Sequence, residues 1–592
     1  MGGRAWHRAG VAALGTLALV AAPLLVVVAA TPADALTVIT VTTPTDAALR
    51  AAFTTANGTA DDVEIDINVG AGPINLSAGE LLYNGGGGNF ALTVKGNGVT
   101  IHQGTAGARV FNSTSTGLLT LDGMTITGGN VSSPSGAGGA VDALGAITIT
   151  NSTVSNNTAV STGTGGNNGA DIFRAGAGTT GAFNATNLTL TSNMVTGTGA
   201  SPNRGLIDTG VTTITSSNLS NNTSLAATGS ADGVLDTTNV TVTGTTINGN
   251  TETSTGGTAF GIFDTTTTTV SGSTVSGNTV TASGTGTDDG IFDTSATTVS
   301  GSTISGNTDR AAGTGAAEGT LFPSGLTMTD SQVVGNTTHA AGTGQADGTI
   351  DASATVLTRS SVTGNTNSTV AGAAFGGLDV SSVTATNSTI SNNTSSGVTS
   401  EGGGIDDGPG SAGKVAAKSD RPDKHGGGHV SAEATAGTTL VYATVTGNAA
   451  LTGANVRSSK VLTAFGSVVA QPSGGVNCVL AATTVSNGWN FSDDATCGFT
   501  NTANGDRQNA GDPGLAALAN NGGPGPTRLP QLGSPLIDAI PAASCQADGA
   551  SGITTDERSF PRPDSLSPNC DIGAVEVGPS ATALVVQPRF TG

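Results

Sequence analysis

The phrase SGSTVSGNT, Ser271 to Thr279, returns as SGSTISGNT from Ser300 to Thr308. Its asparagine belongs to a column: Asn222, Asn250, Asn278, Asn307, Asn336, Asn365 and Asn393 are spaced by 28, 28, 29, 29, 29 and 28 residues. Asn130, Asn157 and Asn193 extend the column upstream and Asn448 continues it downstream. A fixed period of this length marks a repeat architecture in which each unit buries its apolar face only by stacking on its neighbours. Each repeat holds several short β-prone runs punctuated by Gly, Asn and Ser, with no helical period. The expected fold is all-β: a parallel β-helix, right-handed because parallel crossovers are overwhelmingly so. Equivalent strands would then pair one coil apart, about 4.8 Å along the axis. The Asn column is expected to be an inward or turn ladder whose amides bond to the next coil.

A second column closes the phrase Gly-x-apolar-Asp at Asp208, Asp236, Asp264, Asp293, Asp351, Asp379 and Asp406, with Phe322 in the Asp place of one coil. The preceding residue is always apolar, as at Ile207, Leu235, Phe263 and Phe292. Period-two alternation predicts the apolar residue inward and the Asp outward. Asp232, Asp289, Glu318 and Asp347 add a parallel acidic line four residues earlier. Carboxylates repeated at about 4.8 Å repel by about 1 kcal/mol per pair even at the dielectric of water. Such a stripe invites Ca²⁺, a hard cation served by oxygen ligands. The competing reading is a solvated acidic face, since no Gly-Gly-x-Gly-x-Asp calcium repeat is present.

Composition agrees with a thin stacked core. Among 592 residues there are 91 Gly, and only 3% are aromatic and 10% charged, too few large side chains for a thick globular interior. The net charge of −21 excludes a basic stripe for nucleic acid and disfavours an anionic membrane surface. A divalent cation or a neutral glycan is the better partner.

The first 35 residues read as a signal peptide. Arg4, His7 and Arg8 precede an apolar run from Val11 to Ala30, and Ala33-Asp34-Ala35 supplies a small-x-small cleavage site after Ala35. The mature chain is expected to be secreted, without a transmembrane segment, where disulfides form. N-terminal cap and first coils are expected over 36–110, repeats over 111–470 with a charged insertion at 407–433, a C-terminal region over 471–577 and a tail over 578–592. A short helix is expected over DAALRAAFTTAN, Asp46 to Asn57, with Asp46 as N-cap, and strands beginning at VEIDINV, Val63 to Val69.

Two stretches resemble known families. Leu49, Arg50 and Ala52, with Ala47 at the Cys place and Ala51 at the Glu place, resemble the Cys-Ser-Leu-Arg-Glu-Ala motif of secreted β-helix proteins, over this segment only. Residues 477 to 577 carry NCVLAATTVSNGWNFSDDATC, GDPGLAALANNGGPGPTRLPQLGSPLIDA, TDERSFPRP and CDIGAVE in order. This region resembles the choice-of-anchor Q domain that follows β-helix repeats in bacterial surface and secreted proteins. Its signature positions fall on Asp512-Pro513, Asn521-Gly522-Gly523, Gly533-Ser534-Pro535, Ile537-Asp538, Asp556, Arg558, Arg562-Pro563 and Cys570-Asp571. Glu557 and Ser559 depart from the family's Asp-Gln-Arg-Gly phrase. The family name implies a following anchor. Here the sequence ends at Gly592 with no sorting motif, which favours free secretion or noncovalent retention. The four cysteines allow three pairings, and local order suggests Cys478–Cys497 and Cys545–Cys570, stapling this end.

Catalysis on this fold would need paired carboxylates flanking a sugar bond. Asp288-Asp289 and Asp406-Asp407 are the adjacent pairs inside the repeats, and Asp288 and Asp289 are the catalytic candidates. No Asn-Thr-Asp, Gly-His-Gly or Arg-Ile-Lys phrase accompanies them. Arg310 and Arg359 are isolated bases for a calcium-assisted lyase. His425 and His429, in KSDRPDKHGGGHV, have three glycines between them, which opposes a shared helix face for metal. The expected function is therefore a non-catalytic secreted or cell-surface β-helix, structural or adhesin-like, presenting a long face to a polysaccharide or an extracellular matrix component. A polysaccharide lyase or glycoside hydrolase is the alternative.

Overall fold

The computed structural model describes residues 36–134, 138–163, 171–176, 181–199, 203–408, 437–547 and 549–577. The segments read as signal peptide, charged insertion with His425 and His429, and C-terminal tail lie almost wholly outside the described residues. The fold is an all-β parallel solenoid. Each coil between Leu119 and Gly474 contributes a strand to each of three main parallel sheets, and among the described residues the coils flanking this stretch lack the third. Among the described residues the three sheets have 23, 15 and 12 strands, the first being larger because outer coils feed it two short strands each.

One coil shows why the sequence winds this way. Phe263–Ser271 lies in the first sheet, Thr274–Ser276 in the second and Thr279–Ala282 in the third. Between them, Gly272 (φ 55°) and Gly277 (φ 61°) make single-residue left-handed bends, which Gly accepts without a Cβ clash. Where Gly is missing at these places, Asn156, Asn221, Asp330 and Asn392 take the same conformation. The residue after each bend turns inward. After the first bend it is a hydroxyl in the central coils, and Met124, Leu188 or Ala443 in three others. The backbone N–H of Ser217, Thr245, Ser273, Ser302 and Ser331 each donates to the hydroxyl one coil on, at 3.1–3.3 Å.

After the second bend it is the ladder asparagine. From Asn193 through Asn222 to Asn448, each Oδ1 accepts both the backbone N–H and the side-chain amide of the asparagine one coil earlier, beginning with Asn157 as the first donor, at 2.9–3.2 Å. The inward ladder read from the sequence is present, with one correction. Asn130 is exposed, and Gly129 fills the ladder place by donating to Asn157 Oδ1 at 2.9 Å. The left-handed bend also belongs to the residue before each ladder asparagine, so the two roles are divided between neighbours. Beyond Asn448 the ladder passes to Asn455 and Asn477 and stops at the Asp493 carboxylate. The hydroxyl row likewise passes from Ser467 through Asn490 to Asp506.

The interior is filled by aligned apolar rows. Leu235, Phe263, Phe292, Leu321 and Ile350 are fully buried one above another, and the Phe263 and Phe292 rings stack with centroids 4.3 Å apart. At the N-terminal end a strand, β1 (Thr37–Val41), precedes the helix and pairs with β2 (Val63–Ile67), so strands begin earlier than expected. The helix spans Asp46–Asn57 and buries Leu49, Ala52, Phe53 and Ala56. Its N-cap is Thr45, whose hydroxyl accepts from Ala48 N–H. Asp46 is instead held by Arg50 at 2.7 Å and by Ser77 at 2.9 Å.

Coil pairing continues through Phe491–Ser492 into the C-terminal region. That region lies along the outer side of the second sheet. Arg528 donates to Ser391 Oγ at 2.9 Å, Thr389 Oγ1 donates to the buried Glu557, and Ala574 N–H donates to Thr444 Oγ1. Several of its charged side chains tie turns together. Arg562 donates to the carbonyls of Asp571 and Gly573 at 2.8 Å and sits 4.0 Å over the Tyr442 ring, while Asp571 accepts Asp538 N–H at 2.7 Å. Disulfides join Cys478 to Cys497 and Cys545 to Cys570, with Cα atoms 4.9 and 5.8 Å apart. The second lies in a small core with Tyr442, Phe465, Ile540 and Ile572. Replacing Cys545 and Cys570 by Ser is expected to cost about 3 kcal/mol and to release this region ahead of the coils. Hydrogen exchange would show it as lost protection at Thr389 and Thr444 with unchanged protection at Asn278. Uniform loosening of all coils would contradict a locally acting staple.

Candidate functional site: an acidic crease

The segment entering each long first-sheet strand also stacks, through bridges linking Ala231, Ala259, Asp288, Ala317 and Ala346. It then bends sharply, as at Gly290 (φ 83°), where an added Cβ would lie 1.7 Å from the Gly319 carbonyl oxygen. This bend turns the outer side of the entering segment toward the outer side of the strand's first residues. Both acidic lines therefore face one crease.

The register confirms the main column: Asp208, Asp236, Asp264 and Asp293 pair in sequence, Phe322 follows, and Asp351, Asp379 and Asp406 continue. Its orientation needs correction. The seven aspartates are not a solvated outward stripe, for none is more than 6% exposed. Alternation along a straight strand predicts exposure, but the bent entering segment makes a concave corner of that outer face. Asp232, Asp289 and Asp347 are buried there too, and Glu318 is half-buried.

Arginines stand in the same column at both ends. Arg174 pairs in register with Asp208 and holds Asp142 at 2.8 and 2.9 Å. Arg457 pairs with Asp406 and reaches its carboxylate at 2.9 Å and Glu401 at 3.1 Å. Between these ends Arg204, 3.9 Å from Asp208, is followed by acid against acid. Burial and the neighbouring Asp236 hold Asp208 well above the usual carboxylate range. Glu318 is likewise raised by burial and by Asp347 and Asp351. Burial pushes Asp406 up to about 6 while Arg457 pulls it down.

Among the described residues, one group of three carboxylates converges: oxygens of Glu318, Asp347 and Asp351 lie within 4.8 Å of one another. Of the seven column aspartates, only Asp351 belongs to it. The donor set is oxygen alone, which fits Ca²⁺ or another hard cation.

The catalytic candidates are separated. Asp288 points into the tube and Asp289 into the crease, because adjacent residues face opposite sides. Asp288 accepts Gly290 N–H at 3.2 Å and Arg310 N–H at 2.8 Å. Asp407 accepts Thr438 Oγ1 and Ser459 N–H. Arg359 holds Asp330 at 2.7 Å at the opposite end of its strand from the crease.

Sequence reading missed the partners of Asp288 inside the tube. Glu252 and Asp309 occupy the inward row of the third sheet, with Val280 between them in register. Both are fully buried; Glu252 accepts the Gly261 N–H and Asp309 the Gly319 N–H, and the Asp309 and Asp288 carboxyls also hydrogen-bond to each other. The signal was available as a charge in a row whose neighbour is Val. Comparisons with protein-family models, curated proteins and solved structures find no match. The class defined by the fold is the parallel β-solenoid.

Proposed function

We propose that this chain is an exported, right-handed, non-catalytic β-solenoid, structural or adhesin-like, whose long repeating faces contact a glycan or matrix component. The observation that carries the reading is the in-register repetition of side chains, which presents the same group once per coil along the tube. Repetition suits a repetitive ligand, whereas hydrolysis needs one convergent acid–base set. The two disulfides, the signal-like first 35 residues and the choice-of-anchor Q-like phrases of the C-terminal region support export. No helix among the described residues is long and apolar enough to cross a membrane. Calcium at Glu318, Asp347 and Asp351 would offset carboxylate repulsion in the crease and stiffen the coils.

The test incubates the purified protein with neutral and acidic polysaccharides, with calcium and with chelator, following binding and release of reducing or unsaturated ends together. Binding without new ends is expected, weakened by chelator. Release of ends would overturn the non-catalytic reading in favour of a lyase or hydrolase. Silence on every sugar would overturn glycan recognition.

A further inference from the structure

The outer face of the first sheet carries a feature that neither the crease nor the ladders account for. Alternate residues of its nine-residue strands point outward. In one outward row Thr213, Thr241, Thr269, Thr298, Thr327 and Thr384 stand in register, interrupted by Val356. Two residues on, Thr215, Thr243, Ser271, Ser300, Thr329 and Thr358 form a second row. Thr241, Thr269, Thr298, Thr327 and Thr384 are exposed, and the second row is exposed or half-buried. The hydroxyls form a two-dimensional lattice, about 4.8 Å between coils and about 6.6 Å between alternate residues along a strand.

The rows are also free of charge. From Thr148 and Thr150 to Thr384 and Thr386 they hold Thr, Ser, Asn and Val alone, in a chain of net charge −21. They contain no aromatic ring for a sugar to stack on. An ionic ligand is not the natural occupant of these rows, and a sugar would have to bind them without stacking. β-Branching gives Thr a stiff χ1, so a row can present methyl and hydroxyl groups in one repeated orientation. The buried hydroxyl and Asn ladders at the two corners of the tube are the kind of side-chain ladder that holds many-stranded sheets flat. A regular array of hydroxyls with methyls between them offers first-shell water a hydrogen-bonding partner at each lattice point. Ice is the solid whose oxygen lattice repeats on this scale in two directions.

We propose that the Thr/Ser face of the first sheet binds ice through an ordered layer of water. This goes beyond the glycan or matrix reading, and the two fail separately, one in ice growth and the other in sugar binding.

The test watches single ice crystals grow in the purified protein and measures inhibition of ice recrystallisation. Expected are faceted crystals, a gap between melting and growth temperatures, and inhibition at micromolar protein. The double variant Thr269→Lys/Thr298→Lys places charge at the centre of the lattice. Because many weak contacts act together, it should raise the protein concentration needed by about tenfold or more. Thr241→Lys/Thr327→Lys should do the same, and circular dichroism melting checks that each variant folds. Thr279→Lys/Thr308→Lys, on the third sheet, should leave ice activity unchanged. Disc-shaped crystals without a growth gap in the unaltered protein would overturn the proposal, as would equal losses in first-sheet and third-sheet variants.

Discussion

Asn278→Ala is expected to destabilise the solenoid by about 3–6 kcal/mol, among the largest effects of any single substitution in the repeats. Asn278 Oδ1 accepts the backbone N–H and the side-chain amide of Asn250, both at 3.0 Å. Its own amide donates to Asn307 Oδ1 and to the Ile247 carbonyl, again at 3.0 Å. Truncation strands the Asn250 donors and two acceptors in a fully buried place, each costing about 1–3 kcal/mol, and leaves a cavity. Asn278→Asp keeps the shape but removes both donors and should be nearly as damaging at neutral pH, with partial recovery in acid. Thr279→Ala, half-buried beside it, should stay within about 0.5 kcal/mol. Chemical unfolding of the three variants measures this. An Asn278→Ala protein within about 1 kcal/mol of the parent would show that the ladder follows the coils rather than holding them.

Raising the pH from about 5 to about 8 is expected to lower the melting temperature, the reverse of ordinary acid denaturation. Inside the tube, burial pushes Asp288 up to about 6, and burial with the adjacent Asp288 holds Asp309 and Glu252 well above the usual range. In the C-terminal region burial raises Asp571 to about 6, Glu576 to about 7 and Glu557 well above its ordinary value. The folded chain thus keeps protons that the unfolded chain releases. The unfolding free energy falls wherever the native state binds more protons. These contributions are complete below the unfolded carboxyl pKa values of about 4 and are lost as the pH passes through 6 to 7. A buried group raised by about two units contributes on the order of 3 kcal/mol. Asp288 faces Glu252, Asp309 and the backbone N–H groups of Gly290 and Arg310. Asp309→Asn should therefore flatten part of the decline. A melting temperature that stays level or rises between these pH values would refute the protonated interior.

The fold was legible because its determinants recur. An Asn every 28 or 29 residues and an apolar residue before each Asp are local patterns that state the coil length and one inward row directly. The orientation of the Asp column was not legible, because it depends on a bend at residues such as Gly290 that joins two outer surfaces into a corner. Alternation describes one strand and cannot register what the preceding segment does. Asp288 and Asp289 illustrate the same limit, reading as a pair in one dimension and standing on opposite sides of the chain in three. The Glu252–Asp288–Asp309 group was hidden because its members come from successive coils and different segments, so no short window contains two of them with their register.

The two ladders also have a direction. From Asn157 to Asn393 each asparagine gives its backbone N–H and one amide hydrogen to the coil that follows it in sequence, its other amide hydrogen reaching back to a carbonyl of the coil before, and the hydroxyl row likewise sends its N–H groups forward. The forward donors of each coil are therefore satisfied only once the coil that follows it in sequence has docked. Polarised hydrogen bonds in series reinforce one another, so each arriving coil tightens those already laid down. Such a process needs a terminator, a group that receives without passing anything on. Asp493 and Asp506 supply it: a carboxylate only accepts, and at these two residues the relay ends.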